Sequence, residues 1–301
     1  MKLAHYLSNG ETRVGIVHEE HIFNLQDAAK KLGLTGFDRY FTIDQLLSQD
    51  RIQEFQKIED KITATKMGVP INSVRILSPI LNPEKILLVA VNYPSHGKEQ
   101  NVSLPTEPYF FTKFKNALIG PGDPILLPRV SKKVDWEVEL AVIIGKTGKY
   151  IQKKDALNYV AGYTISIDVS FRDLRYPSAS PDKPSRLGIN WMKAKALDSS
   201  FPLGPWLVTK DEIPNPHDLK LSLSVNGDEK QHSNTGEMLF KIDSLIEYIS
   251  SGMTLNPGDI ISTGTPEGVA VFSGQPFLKD GDIIKAKIGK IGMLTNEVKA
   301  E

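Results

Sequence analysis

The chain has 301 residues, with 36 Lys and Arg against 36 Asp and Glu, 40% hydrophobic residues and no Cys. That length buries most of the unfolded-state surface in one large or two ordinary domains. Zero formal net charge spread along the chain excludes the electrostatic footprint of nucleic-acid or anionic-lipid binding, so a small molecule is the expected partner. Without Cys there are no disulfides, thiolate zinc sites, iron–sulfur clusters or cysteine nucleophiles, and any metal must be held by oxygen or imidazole. The polar opening MKLAHYLSNGETRVG and the lack of an apolar run of about 18 residues make a cytoplasmic location, with no membrane partner, the expectation.

Residues 2–6 and 13–17 read as two short strands around a turn, followed by polar helical stretches such as 44–61. Pro70, Pro79 and Pro83 then punctuate the chain. They place a domain boundary near Val74, with a small N-terminal α+β domain over 1–73 and a larger domain over 74–301. The small unit reads as a packing or dimerisation appendage. Residues 85–91, KILLVAV, form a short apolar run suited to a buried strand. His96 follows, three residues before Glu99, so that on a helical turn the carboxylate would orient the imidazole for acid–base work. An exposed loop histidine is the competing reading. Lys113, in FFTKF, is the first of several candidate anion-binding cations.

Residues 134–145, VDWEVELAVIIG, carry the most information. Alternation along a strand puts Val134, Trp136, Val138 and Leu140 on one side and Asp135, Glu137 and Glu139 on the other. Three acids on one face read either as a solvated face or, because the strand runs on into apolar LAVII, as buried carboxylates that need a cation. Asp168 closes the apolar stretch 159–168 and offers a third oxygen ligand beside Glu137 and Glu139. Hard carboxylates without Cys favour Mg²⁺ or Mn²⁺, with Ca²⁺ as an alternative, over Zn²⁺. Three protein ligands leave coordination positions for the carboxylate and keto oxygen of a 2-oxo acid.

Arg172 and Arg175 in FRDLR and Lys195 in WMKAKALD extend the set of cations. Lys195 is set apart by apolar neighbours, because a partly buried lysine needs an acidic or ligand partner. Leu219, Leu221, Leu223 and Val225 alternate into an Asn226–Gly227 turn, residues 237–249 carry helical apolar spacing, and turns at Asp259 and Asp282 open two further strands. Thr265, in STGTPEG, reads equally as a carboxylate-binding turn or a plain tight one. The remaining histidines, in the N-terminal unit or at strand turns, are poor ligand candidates. Strands dominate and no βαβ alternation is visible, so the fold class is strand-rich α+β with a large, mostly antiparallel or mixed sheet system.

Taken together, NYxxHxxE, the ExE strand, IDVSxRD, the later lysine, LGPW, VNG, TLxPGD and GTPxGV stand in the order found in the fumarylacetoacetate hydrolase superfamily, which the chain resembles from about Ile76 onward. The resemblance implies a mixed β-sandwich roll, a homodimer or higher homo-oligomer, and a Mg²⁺ or Mn²⁺ site. It implies Glu137, Glu139 and Asp168 as metal ligands, His96 with Glu99 as an acid–base dyad on a loop that orders over substrate, and Lys195 as the group facing developing negative charge. Tyr93, Lys113, Arg172, Arg175 and Thr265 would lie at the substrate. Two departures concern substrate choice: FRDLR stands where ARDLQ is frequent, and residues 176–190 form a longer Pro- and Ser-rich stretch suited to a rim or lid. The implied substrates are 2-oxo or 2,4-dioxo acids, with hydrolysis of the carbon–carbon bond of an acylpyruvate as the first expectation. Oxaloacetate decarboxylation or keto–enol tautomerisation and hydroxymuconate-type isomerisation are alternatives on the same site. A metal-bound 2-oxo acid scaffold is the non-enzymatic alternative.

Overall fold

The computed structural model describes residues 1–34, 42–176 and 188–301. Most of the expected rim stretch 176–190 therefore lies outside the described residues. Strands dominate and form two main sheets. The larger has 12 strands among the described residues, and its central run is Lys2–Ser8, Phe201–Thr209, Val160–Ile167, Val138–Ile144, Ile260–Ser262, Ile86–Ala90 and Tyr109–Lys113. Most neighbours are antiparallel, but Ile260–Ser262 runs parallel to Ile86–Ala90, so the sheet is mixed. The smaller sheet orders Asp228–Asn234, Lys220–Val225, Ile283–Ile288, Gly292–Ala300 and Ile125–Leu127.

Side-chain alternation explains how the layers pack. Val138, Leu140, Val142 and Ile144 enter the core shared with Leu221, Leu223 and Ile284 of the smaller sheet. Ala141 and Ile143 point the other way, into a core with Leu46, Leu47 and Phe55 of the short N-terminal helices. Every residue of Val138–Ile144 is therefore buried, as its apolar run predicts. Glu139 shares the parity of Ala141 and Ile143 and faces the second side. The N-terminal hairpin continues the larger sheet through Leu3, which pairs with Leu207. The expected boundary near Val74 falls just before Arg75–Ile76, which also pairs with Lys2–Ser8.

Two local expectations change. The run 134–145 is not one strand: Val134–Asp135 pairs with Ser170–Phe171 in a separate ribbon, and only Val138–Ile144 joins the main sheet. The helix expected over 237–249 begins at Ile242. Its upstream amides are taken by Asn92, whose backbone carbonyl accepts from Leu239 N–H and whose Oδ1 accepts from Phe240 N–H, both at 2.7 Å. The Asn226–Gly227 turn holds as expected, with φ of 53° and 91° in the type I′ manner.

Candidate metal centre and active-site cleft

The strand break brings the acids together. Glu137 lies in the break, Glu139 sits one residue into Val138–Ile144, and Asp168 follows Val160–Ile167, whose Ile167 is paired with Val138. One carboxylate oxygen from each of the three lies within 4.8 Å of the others, and all three residues are buried. The Asp168 amide donates to the Glu137 carbonyl at 2.9 Å and fixes the crossing. Glu139 Oε2 accepts from the Ser262 hydroxyl at 2.5 Å and the Gly264 amide at 2.9 Å. Gly264 has φ 89°, and a Cβ there would come within 2.8 Å of Asn92 Cβ, so glycine is what lets this amide reach the carboxylate.

Cations from the chain itself close on the triad. Lys195 Nζ donates to Glu137 Oε2 at 2.9 Å and Asp168 Oδ2 at 2.5 Å. Arg172 donates to Glu137 Oε1 at 2.7 Å and Asp135 Oδ2 at 2.8 Å. Burial alone would favour neutral Glu137, but Lys195 and then Arg172 outweigh it and hold this carboxyl well below the usual range. Glu139 forms no ion pair with a described residue; burial, then the charges of Asp168 and Glu137, push it up to about 8. Burial also raises Asp168, against the pull of Lys113 and Lys195.

This set fits a hard divalent cation. Three carboxylates converge, and Glu139 lacks a compensating charge. Carboxylate oxygens of this kind suit Mg²⁺ or Mn²⁺.

A narrow cleft borders the triad at Glu137, and His96, Arg172, Arg175, Lys195 and Thr265 also line it. The helix Pro94–Glu99 starts on a proline and sets His96 Nδ1 3.0 Å from Glu99 Oε2. Glu99 Oε1 accepts from the Gly268 amide at 3.0 Å, which ties the pair to the Thr265 loop. Phe111 and Trp191 stack with centroids 4.5 Å apart as an apolar wall, with the Lys195 ammonium 5.1 Å above the Phe111 ring.

Some expected roles are corrected by position. Lys113 does not line the cleft: its ammonium donates to the Val169 and Ser200 carbonyls at 2.9 and 2.7 Å and lies 2.9 Å from Asp168 Oδ1, so it braces the triad from behind. Burial lowers its pKa to about 8, against the opposing pull of Asp168. Tyr93 is fully buried in the core, its hydroxyl finds no partner among the described residues, and burial raises its pKa. The Thr265 hydroxyl is already engaged, donating to the Val138 carbonyl at 2.8 Å and accepting from Gln231 Nε2 at 2.9 Å. Asp135, which alternation grouped with Glu137 and Glu139, instead accepts from Arg172 and from the Trp136, Ala270 and Val271 amides.

Gln231 was not anticipated. Its Oε1 accepts from the Val138 amide at 2.9 Å, and its Nε2 also donates to the Pro266 carbonyl at 3.0 Å. It stands opposite Leu223, so the available signal was a polar residue at an inward position of an alternating hairpin.

Residues 85–299 match the family described as Fumarylacetoacetate (FAA) hydrolase C-terminal. The chain is 48% identical over 237 residues to oxaloacetate tautomerase FAHD2A, mitochondrial, of Bos taurus, covering 78% of this chain and 73% of that one. It is 46% identical over 271 residues to the Homo sapiens protein of the same name, covering 89% and 83%. The structure of maleylpyruvate hydrolase from Sphingobium sp. SYK-6 in complex with manganese(II) ion and pyruvate matches with TM-score 0.75 at 31% identity, over 100% of this chain and 99% of that one. Fumarylacetoacetate hydrolase from Exiguobacterium antarcticum matches with TM-score 0.77 at 30% identity, over 100% of both chains. The two tautomerases are named as mitochondrial, which overturns the cytoplasmic expectation; a polar segment without a long apolar run does not separate these compartments. On these matches, the chain belongs to the fumarylacetoacetate hydrolase family.

Proposed function

We propose that the chain is a divalent-metal-dependent enzyme that interconverts the keto and enol forms of oxaloacetate. The observation that carries this reading is a cleft lined both by His96, which Glu99 holds at 3.0 Å, and by Glu137 of the buried triad with Glu139 and Asp168. Relatives named as oxaloacetate tautomerases support it. A Mg²⁺ or Mn²⁺ ion on the triad would draw charge from the 2-oxo group and acidify the adjacent carbon. The bond between His96 Nδ1 and Glu99 leaves Nε2 as the proton carrier, taking the proton from carbon in one direction and returning it in the other. Lys195 meets the developing enolate charge, and the Phe111–Trp191 wall strengthens that interaction by limiting water. Tautomerisation needs no positioned water nucleophile, so it asks less of this cleft than carbon–carbon hydrolysis. In this reading residues 74–301 carry the chemistry, residues 1–73 pack against them, and the enzyme works as a homodimer or larger homo-oligomer.

The test mixes enol-oxaloacetate with Mn²⁺-loaded enzyme and follows enol absorbance, pyruvate and CO₂ together. Accelerated loss of enol alone, abolished in His96→Asn, supports the proposal. Release of CO₂ would replace it with decarboxylation, and a rate no faster than Mn²⁺ alone would refute it. The maleylpyruvate hydrolase similarity favours a second reading, hydrolysis of an acylpyruvate. Pyruvate formed from acetylpyruvate or fumarylpyruvate without CO₂ would put that reading first.

A further inference from the structure

We propose that Arg175 binds a second, distal carboxylate, so that the cleft selects 2-oxo dicarboxylates over 2-oxo monocarboxylates. This rests on the reading that a 2-oxo acid binds at the triad. His96, Arg172, Arg175 and Lys195 all border the cleft, and three of them are already engaged. His96 is held by Glu99, Arg172 by Asp135 and Glu137, and Lys195 by Glu137 and Asp168. The Arg175 backbone carbonyl accepts from the Asn190 amide at 2.8 Å, but its guanidinium makes no hydrogen bond or ion pair with any described residue and rests 5.6 Å from the centroid of the Tyr176 ring. A half-buried guanidinium left open at a cleft presents a planar fork of donors that matches a carboxylate.

Position decides which carboxylate that is. Arg172–Leu174 form a 3-10 turn and Arg175 continues it with φ −63° and ψ −36°. With three residues per turn and a rise of about 2 Å each, Arg175 stands on the same side as Arg172 and about 6 Å further along. Arg172 is bonded to Glu137, so it marks the triad end of the cleft and Arg175 lies one turn away from it. In a four-carbon diacid three carbon–carbon bonds of about 1.5 Å part the two carboxyl carbons, which spans about 4 Å. A hydrogen bond adds about 3 Å of reach. A diacid whose keto end lies at the triad therefore brings its other carboxylate to Arg175, whereas a monoacid leaves the guanidinium without a partner.

The experiment measures binding of pyruvate and of oxaloacetate to Mn²⁺-loaded wild type, Arg175→Gln and Arg175→Lys by calorimetry, with oxaloacetate KM and kcat alongside. Arg175→Gln should weaken oxaloacetate binding by about tenfold to a hundredfold, the range of a hydrogen bond to a charged group, while pyruvate binding changes by less than about twofold. Arg175→Lys, which keeps the charge, should recover part of the loss, and KM should move more than kcat. Equal weakening of both ligands, or no weakening of oxaloacetate, overturns the proposal. If oxaloacetate binds with this dependence on Arg175 but is not turned over, the tautomerase reading falls and the distal-carboxylate assignment stands.

Discussion

Replacing Gln231 by Leu tests whether the carboxylate strand and the Thr265 loop are held as one unit. The side chain is buried, and its amide group receives the Val138 N–H at 2.9 Å and donates to Thr265 Oγ1 at 2.9 Å and the Pro266 carbonyl at 3.0 Å. Leucine fills a similar volume but leaves the Val138 amide buried without an acceptor, at a cost of about 1–3 kcal/mol. Loss of the two donated bonds adds about 0.5–1.5 kcal/mol each, for a total of roughly 2–6 kcal/mol. For a chain of this length that corresponds to a fall in Tm of about 3–9 °C. Val138 lies between Glu137 and Glu139, so Mn²⁺ affinity measured by calorimetry should fall in the same variant. Gln231→Glu discriminates further: it keeps an acceptor for the Val138 amide but turns a second acceptor toward the Pro266 carbonyl, so it should perturb the loop more than the metal. A Gln231→Leu protein that melts within 1 °C of wild type and binds Mn²⁺ equally would refute the bracing role.

Three further predictions follow from buried groups. Glu139 is pushed from an ordinary carboxyl value up to about 8, first by burial and then by Asp168 and Glu137, so the metal-free protein loses stability as pH rises through that interval, on the order of 3 kcal/mol by pH 7. Metal-free Glu139→Gln should therefore melt higher than metal-free wild type at pH 7 and gain nothing from Mn²⁺; a lower melting point would contradict the uncompensated charge. His5 accepts from the Ile43 amide at 2.9 Å and is held below the ordinary histidine value by burial, against the pull of Asp44. The unfolded chain then binds the extra proton first, so stability should fall as pH drops below about 6.5 and level off once folded His5 protonates. His5→Gln should flatten that dependence in thermal melts, and parallel curves for the two proteins would exclude His5 as its source. Tyr93→Phe removes a buried hydroxyl without a partner, so it should raise stability by about 1 kcal/mol and leave KM unchanged. A tenfold rise in KM would return Tyr93 to the substrate.

The carboxylate triad was legible because two independent patterns coincide at Glu137 and Glu139: alternation, and an apolar continuation that forces burial. Asp168 was legible as the end of the next apolar strand, and hairpin register then brings it to the same place. The His96–Glu99 pair was readable from a spacing of three on a short helix. Asp135 was misplaced by that same rule, because alternation holds only while a strand stays in one sheet and this one leaves its sheet at Trp136. The cytoplasmic expectation came from features that carry no compartment information.

The sequence by itself therefore determined the strand-rich class, and it offered the buried acidic strand and the imidazole–carboxylate pair each as one of two readings, since these rest on neighbours within a few residues and on the period of the element they occupy. Only the tertiary structure decided how the polar groups divide their labour. Gln231 meets Val138 across 93 residues of chain, and Lys113 meets Ser200 across 87. A buried lysine, glutamine or tyrosine looks the same in sequence whether it faces a cleft, braces a ligand or sits without a partner. What distinguishes these fates is desolvation together with the few atoms within hydrogen-bond reach, and those are set by strands that meet only when the sheets have packed.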